Sequence, residues 1–343
     1  MNKIKFILSS IKNLFRTNGV FYVTEIESWV IKEIGKNIQK YSKKNIQIIY
    51  STLFLKNSSI HFGSLNSYLS QPIVPFSSNK IIVTWYHIPN NFSFSKNIKK
   101  IKRVDYWIVT NSMMKTKLIN LGIETSKLIL ISMAVEDIFL KNSKDHSKSD
   151  RDTFKIGSFL KDGSGWNEKS PLPKFIKGPD ILIKTLKILN EKFPIEVKLS
   201  GPGRGFVIEA LKKNNIPYEH KFFSQKKDLI GFYKSCDICL ITSREEGGPL
   251  SLLESISLGI PVVSTKVGMA PDLIRDSLNG FLTEIDDVKE LVSKISQLIT
   301  SEEKLEKFSR ECKNTKIKSY NELTLELDLI YDRQLIKHPP IFR

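Results

Sequence analysis

The sequence predicts a parallel α/β protein with two Rossmann-like halves. Short apolar runs rich in β-branched residues alternate with helical stretches along most of the chain, the pattern of parallel sheets with crossover helices. One stretch, Ile238 to Thr265, reads as a complete strand–turn–helix–strand unit. At 343 residues the chain is long enough for two domains of ordinary size.

The elements follow in chain order. Residues 1–44 hold a basic amphipathic start, MNKIKFILSSIKNLFR, and a helix in which Trp29, Ile31, Ile34 and Ile38 share one face. That face either lies in an anionic membrane interface or packs on the first domain. NIQIIYSTLF at 45–54 reads as a first strand, and the Ser-, Asn- and Pro-rich stretch 56–79 as a loop. KIIVTWYH at 80–87 and DYWIVTN at 105–111 are buried strands, and a helix follows to about Leu121. KLILISMAVEDIF at 127–139 is a strand with an exit turn, and the polar run 141–152 is a hinge. This first half, 1–150, looks abbreviated beside a full six- or seven-stranded domain. The second half, 151–319, opens with the strand FKIGSFL, a polar insertion and a helix from Pro179. EVKLS, the turn Gly201 to Arg204, a helix, KFF at 221–223 and a helix to Ser235 lead to the central unit. Helices over 286–299 and from 302 onward finish the chain, with 320–343 as its last helix.

The central unit reads ICLITS, REEGG, PLSLLESISLG, PVVST. Pro249 suits a first helical position and Gly259 the turn after the last. The turn lies at the carboxyl end of a parallel sheet, where such folds bind ligands. Glu246 sits in that turn, and Glu254 sits inside the helix among Leu252, Leu253 and Ile256. An unpaired buried carboxylate costs several kcal/mol, roughly, so Glu254 needs a hydrogen-bonding partner. The vicinal hydroxyls of a ribose are such a partner, and the helix start offers N–H groups to an anion. An ordinary crossover with two unremarkable glutamates is the alternative reading.

The segment SREEGGPLSLLESISLGIPVVST resembles the signature of retaining, nucleotide-sugar-dependent transferases of the GT-B fold, glycosyltransferase family 4. Glu246, Gly247, Leu250, Glu254, Gly259 and Pro261 fall on the pattern. The resemblance implies two Rossmann-like domains facing across a cleft, with 320–343 crossing back to the first. It implies that Glu254 holds the ribose and Glu246 lies by the donor sugar, with Ser243, Gly247, Gly248 and Leu250 lining the donor. The pattern departs at Gly248 and Pro249, where an aromatic and a glycine are usual; Pro249 cannot donate an N–H. Lys177 resembles the family's lysine on the donor diphosphate, where a fixed cation lowers the barrier to departure. The family's arginine after the strand glycine is missing, since Gly157 is followed by Ser158 and Phe159, and Lys161 or Arg204 is expected to replace it. His87 resembles the histidine that contacts the donor sugar. Trp85 beside it, with His61 and Gly63, are acceptor-side expectations, and Gly163 and Trp166 would cap the cleft. The implied reaction needs no metal and no cofactor beyond the donor.

Composition bounds the rest. Net charge is +17, and it concentrates in residues 1–150, with 22 Lys/Arg against 9 Asp/Glu. That basicity points to an anionic membrane surface or a phosphorylated acceptor, unless it reflects codon bias. No nucleic-acid module signature is present, so a nucleic-acid-binding protein is the rival of another class and nucleic acid is not an expected partner. Three cysteines do not make a disulfide framework and fit a reducing compartment. No window of 18 apolar residues exists, and no signal-peptide core, so a cytoplasmic protein is expected, peripheral on the membrane if α-helical basic elements bind it. Asp150-Arg151-Asp152 lies in the polar hinge and reads as solvated charge rather than a metal motif. The expected function is transfer of a sugar to a saccharide or polyprenyl-linked acceptor in bacterial surface-polysaccharide or lipopolysaccharide synthesis. An inverting GT-B transferase or a sugar-phosphate synthase with a soluble acceptor is the nearer rival.

Overall fold

The computed structural model describes residues 2–26, 29–88, 92–143, 152–164 and 172–333. The chain forms two compact units, residues 1–133 with 318–343, and residues 134–317. Each is built on a six-stranded, wholly parallel sheet.

The first sheet holds β1 (Val20–Val23), β2 (Ile46–Ile49), β3 (Ser59–Phe62), β4 (Lys80–Trp85), β5 (Tyr106–Val109) and β6 (Leu128–Leu130), in the order β2-β1-β3-β4-β5-β6. The first half is therefore a full sheet, not an abbreviated one. β1 falls inside the stretch read as a basic start and β3 inside the stretch read as a loop. Both are four residues long, too short to show a period, and become strands by pairing with each other. Helix α1 (Asn2–Asn13) precedes β1, and α2 (Trp29–Tyr41) follows it. Ile34 and Ile38 of α2 are buried, and α2 packs against the helix Tyr320–Asp332, so of the two readings α2 takes the packing one. Ser42 Oγ donates to Asp328 at 2.5 Å, and Tyr41 stacks on Tyr320.

The second sheet holds β7 (Phe154–Ser158), β8 (Ile195–Ser200), β9 (Tyr218–Lys221), β10 (Ile238–Ile241), β11 (Val262–Thr265) and β12 (Gly280–Thr283), in the order β12-β11-β10-β7-β8-β9. Strand order reverses between β7 and β10, the switch point of a doubly wound sheet. Residues 134–143 belong to this unit, because Phe139 packs edge-on to Tyr233. The break between units thus falls before the polar run expected as a hinge, of which residues 144–151 lie outside the described ones.

The two units use one device at equivalent points. Asp105, just before β5, accepts from the Ile81 N–H of β4 at 2.7 Å; Asp237, just before β10, accepts from the Lys155 N–H of β7 at 2.7 Å. Both aspartates are buried. Each clamps a neighbouring strand to the centre of its sheet, and two separate apolar cores fill the space beneath the helices.

Candidate active site

Every strand of the second sheet runs in one direction, so the loops after β7, β8, β10 and β11 gather at its carboxyl end. The loop after β10 carries Ser243, Glu246, Gly247 and Gly248 and leads into the helix Leu250–Ser257. Pro249 stands at its N-cap, where no side-chain hydrogen bond closes the helix start. The first N–H groups of the helix are therefore left for another acceptor. Ser251 Oγ, in a side chain that is 4% exposed, has no hydrogen-bond partner among the described residues.

Lys177 is brought to this loop by backbone rather than by chance. Gly178 adopts φ 64°, and a Cβ there would stand 1.8 Å from the Thr242 carbonyl oxygen. Glycine is required by both the left-handed backbone and the close approach. Thr242 Oγ1 donates back to the Gly178 carbonyl at 2.9 Å, and the Arg244 N–H donates to the Ile176 carbonyl at 2.9 Å. Arg244 further braces the junction with two bonds to Asp180, at 2.9 and 2.8 Å, and one ion pair to Asp286. With the two segments zipped together, Lys177 Nζ lies 2.7 Å from Glu246 Oε1. Ser243 Oγ donates to the same carboxylate at 3.0 Å. The Glu246 side chain is 9% exposed and that of Lys177 28%.

Glu254 lies just over one turn into the helix and is partly exposed. Its Oε2 accepts from the Tyr233 hydroxyl at 2.6 Å. Crowding by neighbouring atoms pushes its pKa up, and the Tyr233 bond and Lys226 offset part of that. The carboxylate is walled by protein on most sides yet keeps some access to solvent. Tyr233 is itself pinned by Phe159, whose ring centroid is 3.9 Å away. Tyr233 was not singled out from the sequence, for an aromatic in an amphipathic helix gives no sign of its hydroxyl.

Of the two cations expected to replace the missing arginine, Arg204 is fully buried. Its guanidinium donates to the carbonyls of Ser158 and Leu160 and pairs with Asp162 at 3.1 Å. It locks the loop after β7 to the turn after β8, and this placement corrects its assignment as a donor contact. Gly163 serves the same junction, packed on the Gly203 backbone, and Trp166 lies outside the described residues. Lys161 is half-buried, and burial followed by the nearby Lys174 holds its pKa below the ordinary lysine value.

The acceptor-side expectations are also corrected. Trp85 has no exposed surface and packs against Phe92 and Trp107. His61 is buried with both ring nitrogens occupied, by Tyr331 and Thr84, each at 2.8 Å. A Cβ on Gly63 would clash with Tyr22 and Ile31. All three serve the interior of the first unit. His87, two residues beyond β4, is exposed. Asp150 and Arg151 of the D-x-D string lie outside the described residues.

Residues 174–315 match the model of the family described as glycosyl transferases group 1. A protein of Klebsiella pneumoniae, described as an uncharacterized 41.2 kDa protein in the cps region, is 25% identical over 282 residues, covering 75% of this chain and 74% of its own. The Escherichia coli UDP-Gal:alpha-D-GlcNAc-diphosphoundecaprenol alpha-1,3-galactosyltransferase is 25% identical over 175 residues, which span 50% of this chain and 43% of that enzyme. Among solved structures, Anabaena Alr3699/HepE in complex with UDP aligns over 91% of this chain and 99% of its own, with a TM-score of 0.70 and 15% identity. The lipopolysaccharide outer core galactosyltransferase WaaB aligns over 92% and 99%, with a TM-score of 0.62 and 15% identity. At these identities the structural likeness speaks for the fold, which is GT-B.

Proposed function

Through residues 174–315 the chain belongs to the glycosyl transferases group 1 family, and on that premise we propose that it moves a sugar from a nucleoside diphosphate sugar to a saccharide or polyprenyl-linked acceptor. The observation that carries the reading is the pairing of Lys177 with Glu246 beside an uncapped helix start, with Glu254 reachable in the same helix. A nucleoside diphosphate supplies what this arrangement lacks, an anion for the uncapped helix N–H groups, beside a cation that Glu246 already holds in place, and a diol for the Glu254 carboxylate.

In the proposed reaction the anomeric carbon–oxygen bond to the diphosphate breaks while the acceptor hydroxyl forms the new bond on the same face. Lys177 and the N–H groups at Leu250 hold the diphosphate as its negative charge grows, which is where fixed donors lower a barrier most. A diphosphate oxygen takes the acceptor proton, and because the acceptor attacks on the face from which the diphosphate departs, the anomeric configuration is retained. Glu246, held by Lys177 and Ser243, positions the sugar, and Glu254 grips the ribose; Gly247 and Gly248 let the backbone approach. His87 is proposed as a sugar contact on the resemblance alone, and Lys161 as a second cation. Cation and helix start supply the charge stabilisation, so the proposed reaction is metal-independent. The acceptor class is proposed by analogy with the Escherichia coli relative and the capsule-region protein, which support a role in surface-polysaccharide synthesis; a cytoplasmic site of action is part of the same proposal.

The test is a thermal-shift screen against UDP-, GDP- and ADP-sugars, since a bound donor raises the melting temperature by mass action. One donor class should stabilise the wild type and not Glu254→Ala. No stabilisation by any of them sinks the reading. NMR of the product anomer separates retention from inversion, and turnover unchanged in EDTA is expected.

A further inference from the structure

Helix α1 is docked with its polar side inward. Ser10 Oγ donates to Ser51 Oγ at 2.7 Å, Asn13 Nδ2 donates to the Ser51 and Leu53 carbonyls at 2.8 and 3.1 Å, and the Tyr50 N–H donates to Ser9 Oγ at 3.3 Å. These three side chains of α1 are buried. The opposite side carries Ile4, Ile7, Leu8 and Ile11, which are 61%, 54%, 53% and 51% exposed. At about 100° per residue the four fall within an arc of about 100°. Phe15, just past the helix, is 87% exposed.

A helix on a soluble domain turns its apolar stripe to the core and its polar face to water. Here the order is reversed, and polar bonds rather than apolar burial fasten the helix. Exposed aliphatic side chains scattered singly need no explanation, but a continuous stripe marks a surface made for an apolar phase. Charge narrows which phase. Exposed Lys5 and Lys12 line one border of the stripe, half-buried Arg16 follows them in the chain, and the backbone of exposed Lys56 bridges the next residue, Thr17. The only acidic residues in the first 32 positions are Glu25 and Glu27. No helix among the described residues is long and apolar enough to cross a membrane.

We propose that α1 lies in the interfacial plane of an anionic lipid bilayer, with Ile4, Ile7, Leu8 and Ile11 among the acyl chains and Lys5, Lys12 and Arg16 on the headgroups. This is the geometry of an interfacial helix, in which apolar insertion and electrostatic attraction act together. Serines on the docked side keep the helix on its domain without using the face that inserts.

The full chain is tested by co-sedimentation with phosphatidylcholine vesicles containing roughly one third phosphatidylglycerol, against pure phosphatidylcholine. Binding to the anionic vesicles alone is expected, weakened about tenfold by Ile7→Gln with Ile11→Gln, which change no charge. Lys5→Gln with Lys12→Gln should weaken it as well. A Phe15→Trp reporter should shift its emission to the blue on anionic vesicles. Because the replaced side chains are exposed, melting temperature and donor-sugar hydrolysis should match the wild type, which keeps this test apart from the transfer reading. Failure to bind, or binding that salt abolishes but the Ile→Gln pair leaves intact, overturns the proposal. Self-association that the Ile→Gln pair abolishes, without vesicle binding, would assign the stripe to a second copy of the chain and overturn it equally.

Discussion

His61 in the first unit and Glu254 in the second are both titratable side chains crowded by their surroundings, and they differ in what they leave open. His61 has no bonding capacity to spare, since Tyr331 and Thr84 occupy its two nitrogens. Burial lowers its pKa to about 3 and keeps the ring neutral. Glu254 has one bond, from Tyr233, and among the described residues no hydrogen bond reaches Oε1. Its pKa is pushed the other way, toward the neutral acid that its site disfavours less. Crowding alone says that a polar group needs a partner. Whether the partner is protein or ligand depends on how many of its lone pairs and protons are already matched.

The comparison breaks first at the Lys177–Glu246 pair. If the open groups of the second unit exist for chemistry, Lys177→Ala should lower kcat by about a hundredfold, as loss of a fixed group facing developing charge does. The melting temperature should barely change, since a partly exposed ion pair contributes only about 0.2–1 kcal/mol. A large fall in stability with little change in kcat would make the pair structural.

Glu254→Gln comes next, and two opposed signs identify it. Donor affinity should fall about tenfold or more with loss of a charge-assisted bond of about 1.5–3 kcal/mol. The donor-free protein should become more stable at neutral pH. For an acid whose folded pKa lies above its ordinary 4.5, the folded state binds more protons, so the ionised group detracts from stability above that range. Calorimetry at pH 7 with and without donor measures both.

His61 predicts the reverse dependence in the first unit. Its folded pKa, about 3, lies below the ordinary 6.5, so the unfolded chain binds the extra proton. Its share of stability is complete above 6.5 and is lost as pH falls toward 3. Urea midpoints across that window should drop less steeply in His61→Gln than in the wild type. Equal slopes would mean that the imidazole is open to solvent and that the contrast with Glu254 is false.

These two residues also show what the sequence could tell. Glu254 was legible because a helix period surrounds it with leucines and its strand, turn and cap residues agree on one βαβ unit. His61, in a stretch read as a loop, and Trp85, near the end of a strand, both looked like acceptor-side groups, because nothing local shows that the distant Tyr331 closes one and Trp107 packs on the other. β1 and β3 were missed for a related reason: four residues have no period, and their strand character comes from neighbours across the sheet. The cation after β7 failed differently. Arg204 has the right charge, but its partner Asp162 and the carbonyls it caps are fixed by loops whose shape no spacing encodes. Gly178 was legible as a helix start but not as the contact point that carries Lys177 to Glu246.

The smallest effect is the most discriminating. Tyr233→Phe removes one hydroxyl and leaves the ring on Phe159 and Phe139, so packing is preserved. If the hydroxyl aims the Glu254 carboxylate at its ligand, the loss of a bond of about 1 kcal/mol should weaken donor binding about fivefold. Because that bond favours the ionised acid, its removal should also shift the acid limb of donor binding to higher pH. Were the hydroxyl instead a stand-in that a ribose must displace, affinity at neutral pH would rise rather than fall. Isothermal titration of both proteins between pH 5 and 8 separates the two, and tighter binding by the phenylalanine variant would refute the aiming role and leave Glu254 closed in the donor-free state, much as His61 is.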